Sequence, residues 1–346
     1  MISKRMIGGA IAGVAGVAGA AAGGAVALRH RRARPDPARE EDFGDLEGTT
    51  KRTIPTSDGG EVHVFERGTG RPFLLLHGVT MTTLSWHYQM IDLVDAGYRV
   101  VAADQRGHGQ STAGKDGYDL ERMALDIYEI LQVLDLRDCV AVGHSMGAMV
   151  LIEMLDSHPE LVTEGVITAL ALISTSASPV LGNGLPAIAA EAVRILTPVA
   201  GRGHIRATAG RAGRSRPPGD LAALYCRIAF GSRPSPTHIE LVRGMSSAVP
   251  APIVTSLVRT LLALDVREAL PDIAVPTVVI VGSRDLVTPV WHSRYTARNI
   301  PGAELHELAG CGHMVMFERR VEVARLLIDL ARRTAPDARP VTAAAG

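Results

Sequence analysis

Cysteine is scarce. The 346 residues hold three, Cys139, Cys226 and Cys311, odd in number and far apart. They form neither a disulfide framework nor a zinc-ligand spacing. Only Cys311 invites a metal reading, because it stands two residues before His313. A small residue filling a tight loop is the simpler account, and no metal is expected. Net charge is lacking as well: 36 Lys and Arg balance 36 Asp and Glu, so nothing global points to nucleic acid. Internal repeats are absent, which excludes solenoids and propellers. What the chain does have is apolar side chains, 47% of the total. That suffices for one large α/β domain or two smaller ones.

The amino-terminal end stands apart. Residues 6–28, MIGGAIAGVAGVAGAAAGGAVAL, carry no charge. At about 1.5 Å per residue, such a helix just crosses a hydrocarbon core ~30 Å thick. Its Ala and Gly content makes it a marginal insert. Lys4 and Arg5 precede it, and Arg29, Arg31, Arg32 and Arg34 follow. Three readings stay open. The first is a membrane anchor, giving membrane association through residues 6–28 and, by the positive-inside rule, a cytoplasmic domain after it. The others are a secretory signal cut near Ala25 and Ala27, and a tail of a soluble cytoplasmic protein. Residues 34–48 mix Pro, Asp, Glu and Arg without apolar periodicity and read as a linker, so 1–48 forms one unit.

From residue 49 the pattern changes. Residues 61–66 (EVHVFE) alternate as a half-buried strand does. Short apolar runs at 73–76, 98–103, 139–142, 169–173, 277–281 and 303–308 read as further strands. Helical stripes fall between them, at 119–134, 146–157 and 319–332. This alternation predicts an α/β fold with a mainly parallel sheet covered on both faces. The core is expected at 49–175 and 265–335. Residues 176–264 break the alternation with helical stretches at 185–196 and 252–264, and a basic loop at 200–220. They read as a helical cap inserted over the sheet. Residues 336–346 read as a disordered tail.

The strongest local signal is Gly143-His144-Ser145-Met146-Gly147, between the apolar strand CVAV and an apolar helix. G-x-S-x-G in a strand–turn–helix context puts the serine on a sharp turn, with its hydroxyl above the sheet edge. Gly143 and Gly147 are expected because a side chain there would strike the passing strand or helix. A serine hydroxyl needs a base. His313, in AGCGHM after the last predicted strand, is the candidate; His306 competes but lies within that strand. An acid should hold the imidazole in one tautomer. Asp285, in GSRDLVTP directly after TVVIV, fits. The stretch after Ile173 (STSASP), the other place for an acid, contains none. A tetrahedral oxyanion needs donors: the N–H of Met146 and the N–H of Val79. Gly78 lets the chain approach closely, and His77 reads as a structural support beneath that loop.

HG at 77–78, DQRGHGQS at 104–111, GHSMG at 143–147, GSRDLVTP at 282–289 and GCGH at 310–313 together resemble the α/β-hydrolase superfamily from about residue 60 to 333. The bacterial esterase, lipase-like and cofactor-free haloperoxidase-like branch is the most similar, SWHYQ around Trp86 included. The resemblance implies a triad of Ser145, Asp285 and His313. It also implies a structural role for Asp104, Arg106 and Gly109, and no cofactor. Serine at 145 argues against dehalogenases and epoxide hydrolases, which carry Asp there. The expected activity is hydrolysis of a carboxylic ester or related acyl compound, with a small, apolar acyl substrate as the partner. Haloperoxidase or perhydrolase chemistry, acyl transfer and carbon–carbon bond hydrolysis stay open on the same fold. A non-catalytic ligand-binding protein is the alternative of another class.

Overall fold

The computed structural model describes residues 36, 38–178 and 226–335. The apolar run 6–28, the 185–196 stretch, the basic loop 200–220 and the tail 336–346 lie outside them. Eight strands form one sheet: β1 (Thr50–Pro55), β2 (Glu61–Arg67), β3 (Pro72–Leu76), β4 (Arg99–Asp104), β5 (Cys139–His144), β6 (Ile167–Ile173), β7 (Thr277–Gly282) and β8 (Glu304–Leu308). Their spatial order is β1-β2-β4-β3-β5-β6-β7-β8. β2 runs antiparallel to both β1 and β4, and all other neighbours are parallel. The predicted mainly parallel α/β sheet is therefore present.

The central strands are buried on both faces, which is why they read as unbroken apolar runs. In β3 and β4, Leu74, Leu76, Val101 and Ala103 pack into one cluster, with the helices α2 (Leu120–Val133) and α3 (Met146–Ser157). The alternate residues Phe73, Leu75, Val100 and Ala102 pack into the other, with α1 (His87–Asp95) and the carboxyl-terminal helix Arg320–Arg333. Burying each large apolar side chain contributes about 1.5–3 kcal/mol, so each face of the sheet holds many such contributions. The parallel strands leave all their carboxyl ends on one edge, where loops can gather chemistry.

Several elements depart from the sequence reading, α1 (His87–Asp95) among them. β1 (TKRTIP) is an edge strand in which only Ile54 is buried. Helices Pro236–Ala248 and Val290–Asn299 also lacked a legible stripe. Of the segment read as a cap, Ala251–Ala263 is helical as expected. Among the described residues no single helix is long and apolar enough to cross a membrane. Pro236–Ala248 and Ala251–Ala263 reach that length only when taken together, and they are bent by 99° to one another.

The stretch read as a linker is docked. Ala38 is buried, and the Asp36 carboxylate accepts the N–H of Thr237 at 3.0 Å at the start of helix Pro236–Ala248. The Phe43 ring lies 4.9 Å from His87, 5.7 Å from Tyr88 and 5.9 Å from His238. The Tyr88 hydroxyl and His238 Nε2 are themselves bonded at 2.8 Å. Phe43 and Leu46 both pack against the apolar cluster and anchor a mostly polar segment. Phe43→Ala should therefore cost about 1–2 kcal/mol of stability. A thermal melt of that variant indistinguishable from wild type would show the contact to be idle.

Candidate active site

Ser145 sits between β5 and α3 with φ 52° and ψ −117°, in a left-handed region that is costly for a residue with a Cβ. Its N–H is held by the Ile173 carbonyl at 2.9 Å. A Cβ at Gly143 would strike the Ala148 backbone, and one at Gly147 would strike the Leu76 and His77 carbonyls. The two glycines thus let strand, turn and helix pass at contact distance.

His313 and Asp285 lie on loops after β8 and β7. Their side chains meet: His313 Nδ1 is 2.9 Å from Asp285 Oδ2. A carboxylate cannot donate, so Nδ1 carries a proton, and in the neutral ring Nε2 is then the nitrogen with the lone pair. The remaining acceptor positions of Asp285 are filled too. Oδ1 takes the N–H groups of Val287 and Thr288, each at 2.8 Å, and Oδ2 takes the Thr288 hydroxyl at 2.9 Å. That hydroxyl also lies 3.2 Å from His313 Nδ1, so it clasps acid and imidazole together. The acid is 3% and the imidazole residue 6% exposed, a setting in which such bonds are little screened by water. A Cβ at Gly282, where β7 ends, would hit the Gly312 carbonyl, so the end of β7 and the His313 loop pack backbone to backbone.

The link to the serine runs through His144. Its Nε2 donates to the His313 carbonyl at 3.1 Å, and the two rings stand 4.7 Å apart. Burial, and then the neighbouring His313, push the pKa of His144 well below that of a free histidine. It stays neutral and works as a brace.

The loop after β3 is equally close. A Cβ on Gly78 would lie 3.1 Å from Ser145 Cβ and 2.9 Å from His144 Nδ1. Met146 is the first residue of α3, so its N–H has no partner within the helix. The next amides after Val79 are anchored, Thr80 N–H to His108 Nε2 at 3.0 Å and Met81 N–H to the Gly78 carbonyl at 3.2 Å. His77 is bonded to the same loop: Nε2 accepts from Gln105 N–H at 3.0 Å and Nδ1 donates to the Gly78 carbonyl at 2.8 Å. Accepting through Nε2 needs a neutral ring. Burial pushes His77 down to about 4, and burial with the nearby His77 pushes His108 to about 3.

Other residues singled out in the sequence fall outside the site. His306 is in β8, 3.7 Å from Glu304. Arg106 is 1% exposed and bonds Asp126 with two nitrogens, at 2.6 and 2.7 Å, and Asp58 at 3.1 Å. Asp104 accepts Thr83 N–H at 2.7 Å, and burial raises its pKa. These bonds give the 104–111 loop a structural role. Cys311 is buried in the apolar cluster. Among the described residues no three His, Cys, Asp or Glu side chains converge as metal ligands would.

Sequence reasoning missed Thr288, His144 and a buried pair behind the acid, His292 Nδ1 with Ser176 Oγ at 2.5 Å. Burial, opposed by the Asp285 charge, pushes His292 down to about 4. Thr288 alone had a readable signal: a hydroxyl three residues after an acid at a loop start is well spaced to bond it.

The profile of the Alpha/beta hydrolase family matches residues 73–326. The chain belongs to that family. It is 30% identical over 263 residues to a non-heme chloroperoxidase of Kitasatospora aureofaciens, covering 75% of this chain and 90% of that one. Among solved structures it is similar to a thermophilic esterase from Thermogutta terrifontis, with 26% identity and a TM-score of 0.66, covering 82% of this chain and 99% of that one. An esterase from Exiguobacterium antarcticum shares the fold at a TM-score of 0.70 and 24% identity, covering 82% and 100%.

Proposed function

We propose that the protein is a serine hydrolase that cleaves a carboxylic ester, or a related acyl compound, through an acyl-enzyme on Ser145. The observation that carries this reading is the His313–Asp285 bond of 2.9 Å, on loops braced against the residue preceding Ser145. It leaves Nε2 of His313 as the free base.

In this mechanism His313 Nε2 takes the Ser145 proton as Oγ attacks the acyl carbon. The oxyanion accepts the N–H groups of Val79 and Met146, each such donor contributing about 3–4 kcal/mol. Asp285 offsets the charge of the imidazolium. Collapse expels the alcohol, which takes the proton back from His313. A water molecule, deprotonated by the same nitrogen, then frees the acid and Ser145. No metal or organic cofactor takes part.

The chloroperoxidase named among the relatives favours a second reading on the same residues. There hydrogen peroxide, in place of water, resolves the acyl-enzyme and yields a peracid. Both readings need the same acylation step. A fluorophosphonate probe should label the wild type, and p-nitrophenyl esters of graded chain length should be turned over. A folded protein that neither labels nor turns over any of them would make it a binding protein on a hydrolase fold.

A further inference from the structure

The loop that carries His313 has a second attachment, on the side away from the acid. On the acid side, Arg284 N–H donates to the Cys311 carbonyl at 2.8 Å and Gly310 N–H to Ser283 Oγ at 2.9 Å. On the far side lies segment 229–232, which leads into helix Pro236–Ala248. Met314 N–H donates to the Ala229 carbonyl at 3.1 Å, and Ser232 N–H and Oγ–H both reach the Gly310 carbonyl at 3.0 Å. Gly231 has no room for a side chain, since a Cβ would strike that same carbonyl.

Between these anchors stands Glu318, at the end of the short helix Val315–Glu318. Its Oε1 accepts Gly312 N–H at 2.7 Å and its Oε2 accepts Gly231 N–H at 2.9 Å. One carboxylate thus spans the gap between the residue next to the base and the segment beside it. Ionised, it has an acceptor for each amide; an alanine has none, and a glutamine has one oxygen plus an NH2 that would oppose the other N–H. Burial raises its pKa, opposed by the two amides and by the charges of Arg227 and Arg319.

We propose that Glu318 is a positioning residue for His313: it fixes the base loop against segment 229–232 and so sets the imidazole's reach to Ser145. The inference rests on the reading of His313 as the base. A misplacement of about 1 Å in a catalytic group costs on the order of a hundredfold in rate. Loss of the clasp therefore acts on the chemical step rather than on substrate binding.

The test compares Glu318→Ala, Glu318→Gln and His313→Gln in the full chain. Each is assayed on a p-nitrophenyl ester and by the rate of fluorophosphonate labelling, well below the melting temperature. Glu318→Ala should lose about ten- to a hundredfold in kcat, with KM nearly unchanged and labelling slowed equally. Glu318→Gln, retaining one acceptor, should fall between it and wild type. Folded Glu318 variants with wild-type kcat and labelling, beside an inactive His313→Gln, would overturn the proposal and leave the base assignment standing. An active His313→Gln would remove that assignment and the proposal with it. Should Glu318→Ala not fold, the near-isosteric Gln variant decides by the same two readouts.

Discussion

Ser145→Ala is expected to abolish ester turnover, lowering kcat by a factor on the order of a million relative to wild type. What remains is set by binding and the oxyanion donors, which act without the nucleophile. The protein should meanwhile stay folded, because Ser145 is 6% exposed and its N–H keeps the Ile173 carbonyl whatever the side chain. Stability gives a second check on the elbow. A residue with a Cβ at φ 52° stores strain, so Ser145→Gly should be more stable than Ser145→Ala by about 1 kcal/mol. Retained turnover in the alanine variant would end the role of Ser145. Equal melting temperatures for the two variants would mean the turn is relaxed.

His313→Gln should cost several orders of magnitude in kcat, comparable to the loss of the serine, since neither group acts without the other. Glutamine can keep the bond to Asp285 through its amide, so the loop need not move; what disappears is the lone pair of Nε2. His306→Gln is the matched control. That ring lies in β8 beside Glu304, and its loss should leave kcat within about twofold, as for surface changes away from such sites. If the two variants exchange behaviours, the base has been misassigned.

The legibility of this chain follows burial and chemistry. β3 (PFLLL) and β7 (TVVIVG) are buried at every position, so their composition announces them. β1 has one buried residue in six, and an exposed edge strand leaves no alternation to read. Helix Val290–Asn299 hides for a different reason: its buried residues are His292, Ser293 and Thr296, so its inward face looks polar. Ser145, Asp285 and His313 could be singled out as candidates because nucleophile, acid and base demand particular residue types at strand ends. His144 and Glu318 were not. Each works through a contact with backbone far away in sequence, 169 residues for the His144–His313 bond and 87 for Glu318 with Gly231, and no spacing rule reports that. Phe43 was passed over because a lone aromatic in a charged stretch has no periodicity.

The clasp between segment 229–232 and the histidine loop sets a boundary for protein engineering. Exchanging the region after β6 for that of a relative is an obvious route to new substrate ranges. A downstream splice placed inside 229–232 would bring foreign backbone against Gly310 and Met314, whose bonds to Ser232 and Ala229 are part of the native arrangement. Chimeras joined upstream of Cys226 keep that seam native; chimeras joined later must import the partner's histidine loop along with its graft.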